Sequence, residues 1–409
     1  MGETEPWLRN VVLFLGAQSL SMFGSNIVGY SIIWYVTLKT GSSGQYALLV
    51  IASSLAMAAT TIPGGVWADR YWRKALMIGA DAGVAVATAL LAVLMLSGFE
   101  SLALIAVVLA LRGLGGGIQA PAVAAALPQI TPVARLLRVN SVNQALQALI
   151  QVAAPALAAV LLVYVPLGWI LMVDVATAVI GVGITLLIPI PRLHRDPDRP
   201  APEGLRGYVA HLGEAFRYAL AIPGLRRTLG VAVLVLTVVI PYAQMTPVFV
   251  VRLYGTAQWK LAATEIAFSL GMVAGGVVLA AWGGLRNRMT MIMTGTITLT
   301  VMTMVMGFMP VLAAFLVVMV IQGITVPVFN TPIITAVQEL IPEAMMGRVT
   351  SLLTLASVVC GPIGMAVAGP LADRLDLSWM AFACGAAGLV VLVALVVRGG
   401  PGSRLMAPD

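Results

Sequence analysis

A recurrence constrains this chain more than any single motif. Long apolar runs appear near residues 11–38, 44–68, 75–97, 101–127, 139–164, 167–190, 227–253, 260–283, 289–309, 311–337, 348–371 and 378–398. A helix rises about 1.5 Å per residue, so roughly 20 apolar residues cross the hydrocarbon of a bilayer, and each run has that length. Within lipid only helices and closed barrels satisfy their own backbone hydrogen bonds, and runs of this length without alternation are helical. The pattern predicts an all-α membrane protein with twelve transmembrane helices. With 60% of its residues hydrophobic and 10% charged, the chain is not a soluble multidomain protein. The first run exceeds a signal-peptide core and no small-residue cleavage pattern follows it, so it is expected to remain as a helix.

Charge orients these runs. With the N-terminus in the cytoplasm, Arg9, Arg70, Arg73, Lys74, Arg135, Arg138, Arg286, Arg288, Arg348, Arg398 and Arg404 share one side, while Lys39, Arg252, Lys260 and Arg374 take the other. Positive residues collect on the cytoplasmic side, so both termini are expected there. The net charge of +7 then reads as a topology signal, and a nucleic-acid partner is not expected.

Residues 191–226 interrupt the pattern. Pro191-Arg192-Leu193-His194-Arg195-Asp196-Pro197-Asp198-Arg199-Pro200 is too polar for lipid, and Leu205, Tyr208, Leu212, Phe216 and Leu220 then recur at helical spacing, as in an amphipathic surface helix. The expected organisation is a six-helix bundle over 1–190, a cytoplasmic linker with an amphipathic helix over 191–226, a second six-helix bundle over 227–398 and a cytoplasmic tail over 399–409. The halves repeat at an offset of 210: Gly113 matches Gly323, Pro132 matches Pro342, Arg138 matches Arg348 and Ser141 matches Ser351. The bundles are therefore expected to be pseudo-symmetric.

Between the second and third runs, Gly65-x-x-x-Asp69-Arg70-x-x-Arg73-Lys74 resembles the loop signature of the major facilitator superfamily, with Trp72 where that pattern has glycine. The stretches around Arg112 and Glu265 are similar to its macrolide, multidrug and siderophore exporters. The resemblance implies alternating access between two bundles around a midplane substrate site. It also implies a cytoplasmic gate built from Asp69, Arg70, Arg73, Arg138 and Arg348.

Charges within the hydrocarbon cost roughly 2.5–3.5 kcal/mol each on insertion scales, and four stand out: Asp81, Arg112, Asp174 and Glu265. Arg112-Gly113-x-x-Gly116 followed by Pro121 resembles the fourth-helix arginine motif of proton-coupled facilitators. Arg112 either holds a carboxylate charged until transport releases it or forms a static ion pair. Asp81 lies at a similar depth and is a candidate partner. The exporter branch has an arginine three positions after this aspartate, where this chain has Val84, so Asp81 pairs elsewhere or takes up a proton. Asp174 reads as a structural pair or cap, and Glu265 as a second titratable candidate.

Asn140, Asn143, Gln144, Gln147 and Gln151 fall in one stripe at 100° per residue. Such an amide face lines either water or another helix. The family's cavity helices would add Gln18, Met22, Asn26 and Tyr30 from the first, and Gln119 from the fourth. Tyr242, Gln244 and Met245 would come from the seventh, and Gln322, Phe329 and Asn330 from the tenth. Amides, aromatics and methionine with few charges suit an amphipathic small molecule.

The expected protein is a monomeric, proton-coupled exporter of drug- or macrolide-like molecules in the bacterial inner membrane, with no cofactor or metal. Siderophore or lysophospholipid transport, or uptake, remains open within the class, and a non-transporting receptor outside it. An enzyme is not expected: the only histidines, His194 and His211, lie in the linker region, and no phosphate loop or metal cluster appears.

Overall fold

The structure, a computed structural model, describes residues 6–191, 213–214, 216–218, 220–285, 287–341 and 343–397. All regular structure among them is helical. The first six runs form α1 (Pro6–Thr40), α2 (Ser43–Arg70), α3 (Arg73–Leu96), α4 (Leu102–Ala126), α5 (Leu136–Tyr164) and α6 (Leu167–Leu187). The seventh run is broken into α7 (Pro223–Leu234), a π-helical turn (Val235–Val239), α8 (Ile240–Gln244) and α9 (Thr246–Tyr254). The remaining runs are α10 (Gln258–Trp282), α11 (Arg288–Met306), α12 (Leu312–Leu340), α13 (Glu343–Arg374) and α14 (Leu377–Val397). Among the described residues nine helices are long and apolar enough to cross a membrane, and Thr290–Met306 and Leu377–Val390 are shorter apolar helices. The amphipathic segment expected over 205–220 lies mostly outside the described residues, as does the tail over 399–409.

The helices pack into two compact units, Met1–Tyr35 with Ala52–Arg206 and Val36–Ile51 with Gly207–Asp409. The turn joining α1 to α2 therefore belongs to the second unit, although most of both helices belongs to the first. In the first unit α3 packs on α4 and α6; in the second, α12 packs on α10 and α11.

Glycine sets the tightest crossings. A Cβ on Gly113 of α4 would press on the Ser53 carbonyl of α2, and one on Gly323 of α12 on the Phe268 carbonyl of α10. Lipid tails are as apolar as the side chains, so helices in a membrane gain from close backbone approach, which small residues permit. The offset-210 repeat of Gly113 and Gly323 thus marks the same kind of crossing in each unit.

Candidate functional site

The intramembrane charges of the first unit meet on α1, α3, α4 and α6. Asp174 of α6 is 1% exposed and Asp81 of α3 is 7% exposed. Seven residues make nearly two whole turns, so Asp81 and Thr88 share one face of α3, and Arg112 and Gln119 share one face of α4. The two helices run antiparallel, and their register sets Thr88 opposite Arg112 and Asp81 opposite Gln119.

Arg112 forms a salt bridge with Asp174 through Nη1, which also donates to Thr88 Oγ1 at 2.8 Å, while Nη2 donates to the Ser25 carbonyl at 2.9 Å. Asp174 accepts further from Ser25 Oγ at 2.7 Å and Thr88 Oγ1 at 3.2 Å. Both charges are thus paired and hydrogen-bonded, the condition under which a buried ion pair is tolerated. Asp81 accepts from Gln119 Nε2 at 2.8 Å and Ser21 Oγ at 3.2 Å. Gln119 Nε2 also reaches Gln18 Oε1 at 3.4 Å.

Of the alternatives open for Asp81, this register gives the one in which it pairs elsewhere: equal depth does not bring it to Arg112, which takes Asp174 instead. At position 84 the exporter branch's arginine is replaced by Val84, whose side chain occupies the space beside Gly115 of α4. Ser21, Ser25 and Thr88 were not among the expected site residues. Their signal was available, since Ser21 and Ser25 continue the helical stripe begun by Gln18, and Thr88 lies two turns from Asp81.

Gln18 Nε2 and Asn26 Nδ2 are buried with no hydrogen-bond partner among the described residues. A buried donor left unmade costs about 1–3 kcal/mol, so α1 presents donors suited to a water or a bound molecule. Met22, 36% exposed, lies between them, and Tyr30 packs on Trp34 with ring centroids 5.4 Å apart. On α5, Gln144 and Gln151 are exposed and Asn143 and Gln147 half-buried.

In the second unit Tyr242, Met245, Gln322 and Phe329, expected as cavity residues, are buried. The π-helical turn adds a residue to its turn and shifts the face of everything after it, turning Tyr242 and Met245 inward and leaving Gln244 exposed. Gln322 and Phe329 share a face of α12 that packs inward, and Gln322 Nε2 donates to Thr303 Oγ1 at 3.3 Å. Asn330, 100° away, stays exposed. Glu265 is half-buried in α10, with no hydrogen bond or ion pair to another described residue.

Of the expected gate residues, Arg73 donates from Nε to the Ala68 carbonyl at 3.0 Å and from Nη1 to the Ala125 carbonyl at 2.8 Å. Its neighbour Lys74 donates to the carbonyls of Leu186 and Ile188 at 2.8 and 2.9 Å. Both cations serve the ends of α2, α4 and α6, where unpaired carbonyls concentrate partial negative charge. Trp72, in the place of the motif glycine, donates from Nε1 to the Ile190 carbonyl at 3.1 Å. Arg70 and Arg138 are exposed, and the side chains of Asp69 and Arg348 lie outside the described residues.

A family model described as Major Facilitator Superfamily matches residues 14–365 and 256–406. The chain is 27% identical over 392 residues to Macrolide efflux protein A of Streptococcus pyogenes, covering 95% of each chain. It is 26% identical over 384 residues to Multidrug efflux pump Tap of Mycobacterium tuberculosis, covering 90% of this chain and 87% of that one. Among solved structures, a POT family transporter in complex with 5-aminolevulinic acid superposes with a TM-score of 0.75 at 12% identity, over 96% of both chains.

Proposed function

We propose that this chain, a transporter that belongs to the Major Facilitator Superfamily, exports amphipathic small molecules by alternating access, driven by protons. In this reading it works as a monomer in the bacterial cytoplasmic membrane, with both termini inside and functional halves over 1–190 and 227–398. The observation that carries the coupling is the contrast between two carboxylates of the first unit. Asp174 is neutralised by Arg112, whereas among the described residues Asp81 accepts only from the neutral donors Ser21 and Gln119.

The two settings suit different roles. Asp81 carries the proton, because its charged form has no cation among its partners in the described residues. Asp174 and Arg112 form the switch: a guanidinium drawn away from Asp174 in an apolar bundle must find another acceptor, so the pair has discrete arrangements that the charge state of nearby Asp81 can bias. That demand links protonation to a rearrangement of α1, α4 and α6, which all contribute to the pair. Amide donors on α1 and the exposed amides of α5 provide hydrogen bonds for an uncharged polar edge, while Met22 provides apolar contact. The efflux proteins among its relatives support a drug-like cargo.

Purified protein in liposomes loaded with a macrolide or a cationic dye tests this directly. Efflux is expected to follow an imposed pH gradient, reverse with its sign and stop when it collapses. Flux indifferent to the gradient would remove the proton from the mechanism, and no flux of either probe would remove the cargo class.

A further inference from the structure

At the end of α13, far along the chain from the Asp81 and Arg112 site, Asp373 gathers four donors within the second unit. It accepts from Ser42 Oγ at 2.7 Å, Ser43 N at 2.7 Å, Gly44 N at 2.8 Å and Arg252 Nη2 at 2.6 Å. Arg252, in the last turn of α9, also donates from Nε to the Gly41 carbonyl at 2.9 Å and from Nη1 to the Ala372 carbonyl at 2.7 Å. One carboxylate and one guanidinium therefore stitch together the turn between α1 and α2, the end of α9 and the end of α13.

Each bond answers a need of the backbone. The first amides of a helix have no partner within it, and α2 has no acidic residue in its first turn. Asp373 supplies from α13 the carboxylate that favours a helix N-terminus. Arg252 meets the carbonyl ends of α1 and α13. The surroundings are shaped to fit: a Cβ on Gly44 would crowd Asp373, and one on Gly369 would press on the Ala47 side chain. A turn further on, Tyr46 OH donates to the Gln244 carbonyl at 2.5 Å.

The same sequence closes two helices. Gly65-x-x-Ala68-Asp69-Arg70 ends α2 and Gly369-x-x-Ala372-Asp373-Arg374 ends α13. In the expected topology α2 runs inward and α13 outward, so the two copies stand on opposite faces of the membrane.

We propose that Asp373 and Arg252 are gate residues forming a clasp on the external face, which holds the α1–α2 turn against α9 and α13 and opens once in every transport cycle. The clasp rests on the alternating access and orientation proposed above. Its rival is a permanent staple that never opens.

The test uses the full chain in nanodiscs, with Cys360 and Cys384 replaced and spin labels on Thr40→Cys and Leu375→Cys, which flank the clasp without belonging to it. Distances between the labels are expected to fall mainly in one short population. Asp373→Asn and Arg252→Gln are each expected to raise the ratio of a long population to the short one by roughly fivefold, the shift that a networked exposed charge pair supports. Unchanged distributions in both variants would overturn the clasp. The labelled positions give a second readout with both clasp residues intact: bridging the two cysteines with a bismaleimide matched to the short distance should stop flux. Undiminished flux after bridging would establish the permanent staple instead. The distances are read without substrate or gradient, so failed proton coupling would leave the clasp standing, and a failed clasp would leave the proposed cargo and coupling standing.

Discussion

At Asp174 a single carboxylate receives Arg112, Ser25 and Thr88, and all of these groups come from different helices than its own. Removing one charge strands the other in an apolar setting, a loss of roughly 3–5 kcal/mol for a buried pair. Arg112→Ala and Asp174→Ala are each expected to lower the thermal unfolding midpoint, while the double change, having no charge to strand, should lie closer to the native protein. Calorimetry or a thiol-reactive dye in detergent measures this; a double variant less stable than both singles would contradict the pairing. In flux assays Arg112→Ala should insert but lose gradient-driven transport. Asp81→Asn is expected to behave differently, because an amide oxygen still accepts from Gln119 and Ser21. It should fold and bind cargo normally, yet show efflux that no longer follows the pH gradient. Retained pH dependence would move the proton to another group.

Helix against helix, register decides which side chains meet. The charged residues of α3 and α4 were visible in the sequence, and so was their depth to within a turn, but depth does not fix rotation or register. The antiparallel fit of α3 on α4 is set by glycines: Gly115 faces Val84, while on the other side Gly113 and Gly117 let α2 approach. Gly113→Leu is therefore expected to force α2 and α4 apart, destabilising the protein by at least the roughly 1–3 kcal/mol typical of overpacking. Gly323→Leu should do the same between α12 and α10. Gly116, beside which nothing lies within 4 Å, should accept Ala with little change in the same thermal assay. The π-helical turn at Val235–Val239 shows the other limit. The resemblance offered Tyr242, Gln244 and Met245 together as cavity residues of the seventh run, and the helix after the turn buries the first and third while exposing the second.

Across the whole molecule, the proposed alternating access requires that opposite faces open in turn, and in the proposed topology the two G-x-x-A-D-R helix ends give each face a candidate latch. Asp69→Asn is expected to slow turnover several-fold while changing cargo affinity little, which initial efflux rates and equilibrium binding separate; unchanged turnover would remove the inner latch. The sequence by itself determined the helical membrane fold, the family and the transport class, because hydropathy, loop charge and the Asp69-Arg70 motif are local properties that survive without knowing any contact. It also named Asp81, Arg112 and Asp174 as charges needing an explanation. Only the tertiary structure decided that Arg112 belongs to Asp174, that Gln322 and Phe329 face inward, and that Asp373 caps a helix more than 300 residues before it. Those outcomes depend on rotation about helix axes and on register between helices, which in a lipid environment are set by small-residue packing and polar pairing rather than by the apolar pattern that places each span in the membrane.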